Sequence, residues 1–353
     1  MEPIQAYGYF CTAPNEQLEK RDLTIDQIET DQVVVKVAGC GLCHTDLSFI
    51  SGNVQTKHEL PLILGHEISG EVVESGADSE KWTGKNVIIP SVLPCGECKL
   101  CQDERDNICQ NQKMPGNDFH GGFASHVVVP SRFLCELPED LGEFKVSQLS
   151  VIADAVTTPY QSLMRSGLQE GDLAIVIGVG GIGTYMVQHA KVAGATVMAI
   201  DIDDQKLENA QKMGAKYVIN SHGLAERDIR TKIRDLIKEN KLPRYQWRVF
   251  ETSGTAAGQG AAFSLISFAG SLGVVGFTMD KLTIRLSNIM AFDADVFGNW
   301  GCRPAYYPAV VEQVLSGKIN LLDNIEEKPL DSINEIIPMA FDHKLEKRII
   351  FIP

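Results

Sequence analysis

The sequence predicts an α/β protein with a β-rich first domain and a second domain built on a doubly wound parallel sheet. Three observations carry that expectation. The 353 residues suit roughly two domains of about 150 residues each. Short β-type runs broken by glycine and proline fill the chain up to about residue 150. From about Val156 onward, apolar strand-like runs alternate with helical patterns, as βαβ units around a parallel sheet do.

In chain order, "QVVVKVAG", "ISGEVVESG", "NVIIP" and "ASHVVVP" are strands spaced as in a barrel-like β region. "DLAIVIG", Asp172 to Gly178, is a short continuous apolar run, which fits a strand buried on both faces. A glycine turn and the helical segment "GTYMVQHAKVAGA" follow, and "TVMAID" brings a second strand to its end at Asp201. "DQKLENAQKMGA" is a helix closed by Gly214, and "KYVIN" is the next strand. "WRVFETSG" and "GSLGVVGF" continue the alternation to about residue 297. The expected boundaries are therefore 1–155 for the first domain and 156–297 for the second. The remainder is mixed in texture and ends on the strand-like "KRIIFIP".

A hydrophobic content of 44% supports real cores, and 46 acidic against 32 basic residues give a net charge of −14. Such a surface repels nucleic acid and anionic membranes as a whole, and an aromatic content of 7% argues against base-stacking platforms. "MEPIQAYGYF" lacks the basic and apolar regions of a secretory signal, and no stretch approaches about 20 apolar residues. The expectation is a soluble, cytoplasmic protein with a small-molecule partner, no nucleic acid and no membrane.

Nine cysteines in such a chain are expected as thiols or metal ligands. Four of them crowd into "CGECKLCQDERDNIC", where Cys95, Cys98, Cys101 and Cys109 are spaced Cys-x2-Cys-x2-Cys-x7-Cys. Four thiolates close a tetrahedral shell around zinc, and a closed shell is structural. Unligated thiols, two disulfides or an iron–sulfur cluster are the other readings. The acidic neighbours Glu97, Asp103, Glu104 and Asp106 disfavour a DNA-binding zinc ribbon.

"GVGGIG" places Gly178, Gly180 and Gly183 in Gly-x-Gly-x-x-Gly spacing, with Gly181 and Ile182 between the last two. It follows a strand, opens a helix, and precedes a strand ending in Asp201, which is the context a Rossmann dinucleotide site requires. The helix N-terminus would hold a pyrophosphate on its free N–H groups. A carboxylate at Asp201 would bind the adenosine ribose and repel a 2′-phosphate, favouring NAD over NADP. Lys206 lies within reach of the same ribose, or is an ordinary surface lysine.

"CGLCHTD", Cys40 to Asp46, is open to several readings: a disulfide, a redox pair, half a zinc knuckle, or one ligand beside a bystander. Combined with "LGHEISG" and "SVIADAVTTPY", it offers Cys43, His66 and Asp154 as a thiolate, an imidazole and a carboxylate for one zinc with a site left for substrate. Asp46 would then orient His66, Thr45 would bond the substrate hydroxyl and take its proton, and Cys40 would be the bystander. Each residue also has a bland reading as a buried cysteine, a core histidine or a capping aspartate.

Together, "CGLCHTD", "GHE", the four-cysteine lobe and "GVGGIG" with its following aspartate resemble the zinc-dependent alcohol dehydrogenases of the medium-chain dehydrogenase/reductase superfamily, over nearly the whole chain. The resemblance implies a GroES-like catalytic domain, to which residues 298–353 return, and a Rossmann coenzyme domain. It implies NAD and two zinc ions per subunit, and a homodimer or homotetramer. It carries over Cys43, His66 and Asp154 as catalytic-zinc ligands, Thr45 as hydroxyl relay, and the four clustered cysteines as structural-zinc ligands. It also implies that Glu67 approaches the metal, that His44 and Arg348 contact the pyrophosphate, that Gly276 and the Val296–Phe297 backbone meet the carboxamide, and that Thr158 lies under the nicotinamide.

Two departures stand out. Asp154 replaces the cysteine of many members, and Ser48 stands near the place of a relay histidine. Within the family, "QKMPGN", "VIADAVTTPYQ", "IMAFDADVFGNWGC" and "YYPAVVEQVLSGKI" resemble members that oxidise a ring hydroxyl of a CoA thioester in anaerobic aromatic degradation. A CoA substrate needs cations for its phosphates, and Arg303 is a candidate, or an ordinary surface arginine. The rival readings are a polyol, short-chain or aromatic alcohol dehydrogenase of the same family, or a catalytically silent NAD- and zinc-binding protein.

Overall fold

The computed structural model describes residues 1–353, which divide into two compact units. The first comprises Met1–Thr157, Gly301–Gly317 and Leu321–Pro353; the second comprises Thr158–Trp300 with Lys318–Asn320.

The first unit opens with β1 (Ile4–Cys11), β2 (Glu19–Ile25), β3 (Gln32–Gly41) and helix α1 (His44–Ile50). Next come β4 (Leu62–Ile63), β5 (Glu67–Ser75), β6 (Asn86–Ile89), the short helix α2 (Lys99–Gln102), β7 (His126–Pro130) and β8 (Cys135–Glu136). A 3-10 helix, Val146–Ala153, ends this part. β1 pairs with β2 and β4 in a small sheet, while β3 pairs with β5, β7 and the C-terminal strand of the chain in a larger one. That crowding explains why "QVVVKVAG" is almost continuously apolar: Val33, Val34 and Val35 are all fully buried. Val33, Val35, Ile68, Val72, Val87, Ile89 and Phe123 form the core, and Phe351 meets Phe123 edge-on at 5.5 Å.

The second unit follows with α3 (Thr157–Ser166), β9 (Leu173–Ile177), α4 (Gly183–Val192), β10 (Thr196–Asp201), α5 (Asp204–Met213), β11 (Tyr217–Asn220) and α6 (Glu226–Asn240). It continues with β12 (Arg248–Glu251), α7 (Ala256–Ser264), β13 (Ser271–Val274), α8 (Ser287–Phe292) and β14 (Asp295–Gly298). All six strands run parallel in the order β11-β10-β9-β12-β13-β14, the doubly wound order of a Rossmann sheet. β9 shows why its run is apolar throughout. Leu173, Ile175 and Ile177 face one helical layer, and Ala174 and Val176 face the other. α6 buries Ile229, Ile233 and Ile237, spaced four residues apart, along one stripe.

The chain then completes the first unit with α9 (Tyr307–Leu315), β15 (Ile325–Pro329), α10 (Ile333–Phe341) and β16 (Arg348–Ile352), the strand that pairs with β3. No helix is long and apolar enough to cross a membrane.

Candidate active site and metal centres

Cys95, Cys98, Cys101 and Cys109 turn their sulfurs toward one point. Cys95 Sγ lies 3.9 Å from Cys101 Sγ and 3.5 Å from Cys109 Sγ; Cys98 Sγ lies 3.6 Å and 3.7 Å from the same two. Four sulfurs about 2.3 Å from a common centre stand about 3.8 Å apart in a tetrahedron, so the set fits zinc. The backbone supports thiolate charge. Cys98 N–H donates to Cys95 Sγ and Cys95 N–H to Cys109 Sγ, each at 3.4 Å. Amide donors from Glu97 and Cys98 hold the Cys95 thiol down at about 6.

Arg303 belongs to this lobe. Its Nε donates to Asp106 Oδ1 at 2.7 Å and its Nη1 to Glu104 Oε2 at 3.4 Å, with the side chain 14% exposed. The expectation of a free cation for substrate phosphates is therefore corrected: two carboxylates already neutralise it.

The second cluster is assembled from three distant stretches. Cys43 precedes α1, His66 precedes β5, and Asp154 occupies the turn after the 3-10 helix Val146–Ala153. Asp154 Oδ2 is 3.6 Å from Cys43 Sγ and 3.6 Å from His66 Nε2, and ligand atoms of Cys43, His66, Glu67 and Asp154 all lie within 4.8 Å of one another. Zinc radii for sulfur, nitrogen and oxygen donors predict edges of about 3.4–3.6 Å, so this set fits too. Cys40 is a bystander, its thiol fully buried in the core beneath Gly65 and Gly122.

Asp46 ties the cluster together. It is fully buried, accepts from Cys43 N–H with Oδ2 at 2.9 Å, and from Gly65 N–H with Oδ1 at 3.1 Å. The same Oδ1 stands 3.2 Å from His66 Nδ1, which leaves Nε2 turned to Asp154 and Cys43. One carboxylate thus caps α1 and sets the imidazole. Thr45 Oγ1 lies 3.8 Å from Cys43 Sγ, half-buried at the cluster's edge. Ser48, near the place of a relay histidine, gives its hydroxyl proton to the His44 carbonyl at 3.1 Å. The His44 ring stacks on His343 with centroids 6.4 Å apart, and burial, His343 and Arg348 lower its pKa.

Glu67 and Arg348, separate expectations in the sequence, form one structure. Arg348 Nε donates to Glu67 Oε2 at 2.8 Å and Nη2 to Oε1 at 2.5 Å, and Oε1 also accepts from Ala155 N–H at 3.0 Å. Burial raises the Glu67 carboxyl above its ordinary range against the pull of Arg348. Arg348 thus stands beside this cluster, with Nε and Nη2 both donating to Glu67. A separation of 281 positions hid the pair from sequence reading.

In the second unit the fingerprint glycines have distinct tasks. Gly178, at the end of β9, has φ +84°, and a Cβ on Gly183 would stand 1.9 Å from the Gly178 carbonyl oxygen. A Cβ on Gly180 would meet nothing within 4 Å, so the backbone there is open to a large anion, with Gly181 and Ile182 leading into α4. Asp201 ends β10 and already accepts Val179 N–H at 2.8 Å with Oδ2 and Ile202 N–H at 2.8 Å with Oδ1. Its carboxylate therefore fixes the glycine turn while retaining lone pairs for a ribose. Lys206 stands exposed in the first turn of α5, which Asp203 caps.

Thr158 is buried, and its carbonyl accepts from Asn299 Nδ2 at 3.2 Å. Gly276 abuts Gly254, where a Cβ would lie 2.2 Å from Gly254 N. Phe297, on β14, is covered by the Arg165 guanidinium at 4.7 Å, while Val296 is exposed. A cavity of about 490 Å³ lined by Arg230, Arg234, Arg244, Trp247 and Phe268 opens at the N-terminal ends of the strands, away from the fingerprint at their C-terminal ends.

Two family models match the chain: the alcohol dehydrogenase GroES-like domain over residues 29–139 and the zinc-binding dehydrogenase over residues 181–316. An alcohol dehydrogenase of Geobacillus stearothermophilus is 31% identical over 340 residues, spanning 94% of this chain and 95% of that protein. A D-arabitol-phosphate dehydrogenase of Enterococcus avium is 28% identical over 348 residues, spanning 97% and 93%. Among solved structures, the alcohol dehydrogenase of the archaeon Aeropyrum pernix superposes with a TM-score of 0.87 at 26% identity, covering 98% of this chain and 100% of that one.

Proposed function

From the premise that the chain belongs to the zinc-dependent medium-chain alcohol dehydrogenases, we propose that it oxidises a secondary ring alcohol with NAD⁺, the substrate being 6-hydroxycyclohex-1-ene-1-carbonyl-CoA and the product its 6-oxo thioester. The observation that carries the chemistry is the convergence of Cys43, His66 and Asp154 beside the Thr45 hydroxyl.

Cys43, His66 and Asp154 hold the catalytic zinc, with Glu67 behind them, and the four clustered cysteines hold a structural one. Zinc held there supplies Lewis-acid chemistry that lowers the pKa of a substrate hydroxyl, and the nicotinamide supplies the hydride acceptor. Thr45 Oγ1 accepts the hydroxyl proton and passes it outward. Asp46 keeps His66 in one tautomer and orientation. Gly178, Gly180, Gly181, Ile182, Gly183 and Asp201 seat the dinucleotide, with Lys206, Thr158, Gly276, Phe297, His44 and Arg348 as further contacts. The alcohol gives one hydride to NAD⁺ and one proton to Thr45, leaving a ketone. In the proposed product that ketone is conjugated with the ring alkene.

The thioester rests on the sequence stretches that resemble such enzymes. The names of the matched relatives favour a second reading, an alcohol or a polyol and its phosphate. Absorbance of NADH separates the two. Purified protein is mixed with NAD⁺ and, in turn, the thioester, its free acid, and simple and polyhydric alcohols. Fast NADH formation with the thioester alone supports the first reading. Equal turnover of simple alcohols refutes the thioester and keeps the reaction. No turnover with two zinc ions bound supports a silent binding protein.

The enzyme works in the cytoplasm as a homodimer or homotetramer. β14 is the edge strand of its sheet, and Met279, Leu286, Met290 and Trp300 nearby are all more than half exposed. A second copy presents the same edge and pairs with it about a twofold axis. Light scattering of the eluting protein at one-chain mass would overturn this.

A further inference from the structure

Asp154 sits between two helices in neither of which it takes part, with φ −141° and ψ −61°. Its own carbonyl accepts from Thr157 Oγ1 at 3.5 Å, and tertiary contacts hold the residues on either side. Behind it, Ala155 N–H donates to Glu67 Oε1 at 3.0 Å. In front of it, the Ala153 carbonyl accepts from Tyr307 Oη–H at 2.5 Å. Ser91 N–H points at the same region, 3.3 Å from Tyr307 Oη and 3.4 Å from the Ala153 oxygen. With Ser91 donating to the phenol oxygen, the phenol proton is directed to Ala153.

The Tyr307 ring is fully buried at the start of α9, so its hydroxyl has no water to turn to. A separation of 154 positions between Tyr307 and Ala153 makes this a tertiary contact with no local equivalent.

We infer that Tyr307 is a positioning residue for the third metal ligand. Through the Ala153 carbonyl it sets the turn that places Asp154 Oδ2 at 3.6 Å from both Cys43 Sγ and His66 Nε2. The inference rests on the reading that Cys43, His66 and Asp154 hold a metal. It adds the element that keeps a carboxylate ligand on a turn in register with the two ligands beside α1 and β5.

The test uses the full chain with cobalt(II) in the catalytic position. Tyr307→Phe keeps the ring and removes the donor. The visible cobalt bands and the release of metal to a competing chelator are recorded, together with urea unfolding. Val311→Ala, a void in the same helix with no link to Ala153, is the control for lost stability. Expected is a change in the cobalt spectrum and about 10–100-fold weaker binding at the mixed site in Tyr307→Phe. The lobe metal stays in place, and Val311→Ala binds like the wild type.

Tyr307→p-aminophenylalanine restores a donor and is expected to recover most of the affinity, and an affinity no better than that of Tyr307→Phe overturns the inference. If Tyr307→Phe does not fold, Tyr307→p-fluorophenylalanine, which keeps the ring and lacks the donor, takes its place, and there a spectrum and affinity both unaltered overturn the inference. An unaltered spectrum and affinity in folded Tyr307→Phe overturn it, as does an equal loss in Val311→Ala. Wild-type protein that binds metal only in the four-cysteine lobe overturns the ligand reading as well, which distinguishes the two failures.

Discussion

The four-cysteine lobe and the Cys43–His66–Asp154 cluster lie in one unit and are built on different plans. The lobe draws all its donors from fifteen residues, Cys95 to Cys109, and its own amides stabilise the sulfur charge. The mixed cluster joins Cys43 to Asp154, 111 positions apart. Its ligands are held by distant partners: Cys43 and His66 by Asp46, and the Asp154 turn by Glu67 and Tyr307. A closed thiolate shell carries its geometry in the local chain. A site that must leave room for substrate has fewer metal–ligand bonds to hold it, so the tertiary framework supplies the rest.

This difference is exposed most by metal removal. A zinc chelator at moderate concentration is expected to take the mixed-site metal first. Zinc content should then fall from two per chain to one with complete loss of activity, as read by metal analysis beside the NADH assay. Loss of the lobe metal first would reverse the comparison.

A smaller effect separates chemistry from metal retention. Thr45→Val should lower kcat/KM by about 10²–10⁴-fold with both metals retained. A loss below about tenfold would remove Thr45 from the proton path.

The Glu67–Arg348 pair tests how far the framework supports the mixed site. Its side chains are 0% and 8% exposed, and removing one partner leaves a buried charge unpaired. Arg348→Leu should therefore destabilise the first unit by about 3–5 kcal/mol in urea unfolding, together with weaker metal binding at the mixed site. Stability within about 1 kcal/mol of wild type would mean that Glu67 finds another partner or a proton.

The mildest substitution is the sharpest. Asp46→Asn keeps the shape and weakens the hold on His66, so mixed-site zinc affinity should drop by about 10–100-fold while the lobe is unaffected. Equal weakening at both sites, followed by chelator titration, would show that the two are not independent.

Much of this was legible in the sequence where the chemistry is local. The lobe spacing, the run "LAIVI" with its glycine turn, and the carboxylate at Asp201 are each contained in a short stretch, and the structure brings their atoms together. Asp46 beside His66 was also readable, because metal-bound imidazoles need a second-nitrogen partner and few candidates stood close. Arg303 was misread: a cation in a loop looks free until Asp106 and Glu104 are seen against it. Arg348, expected as a pyrophosphate contact, also pairs with Glu67 at a separation of 281 positions, which no local pattern announced.

The sequence by itself determined the two-part α/β plan, the closed cysteine shell and the dinucleotide turn, because periodicity, glycine placement and close ligand spacing act within a few turns of chain. Tertiary structure alone decided which buried charge neutralises which, and what holds Asp154 in place. Those contacts join residues 88 to 281 positions apart, and pairing at such separations follows from packing a whole core, about which a local pattern carries no information.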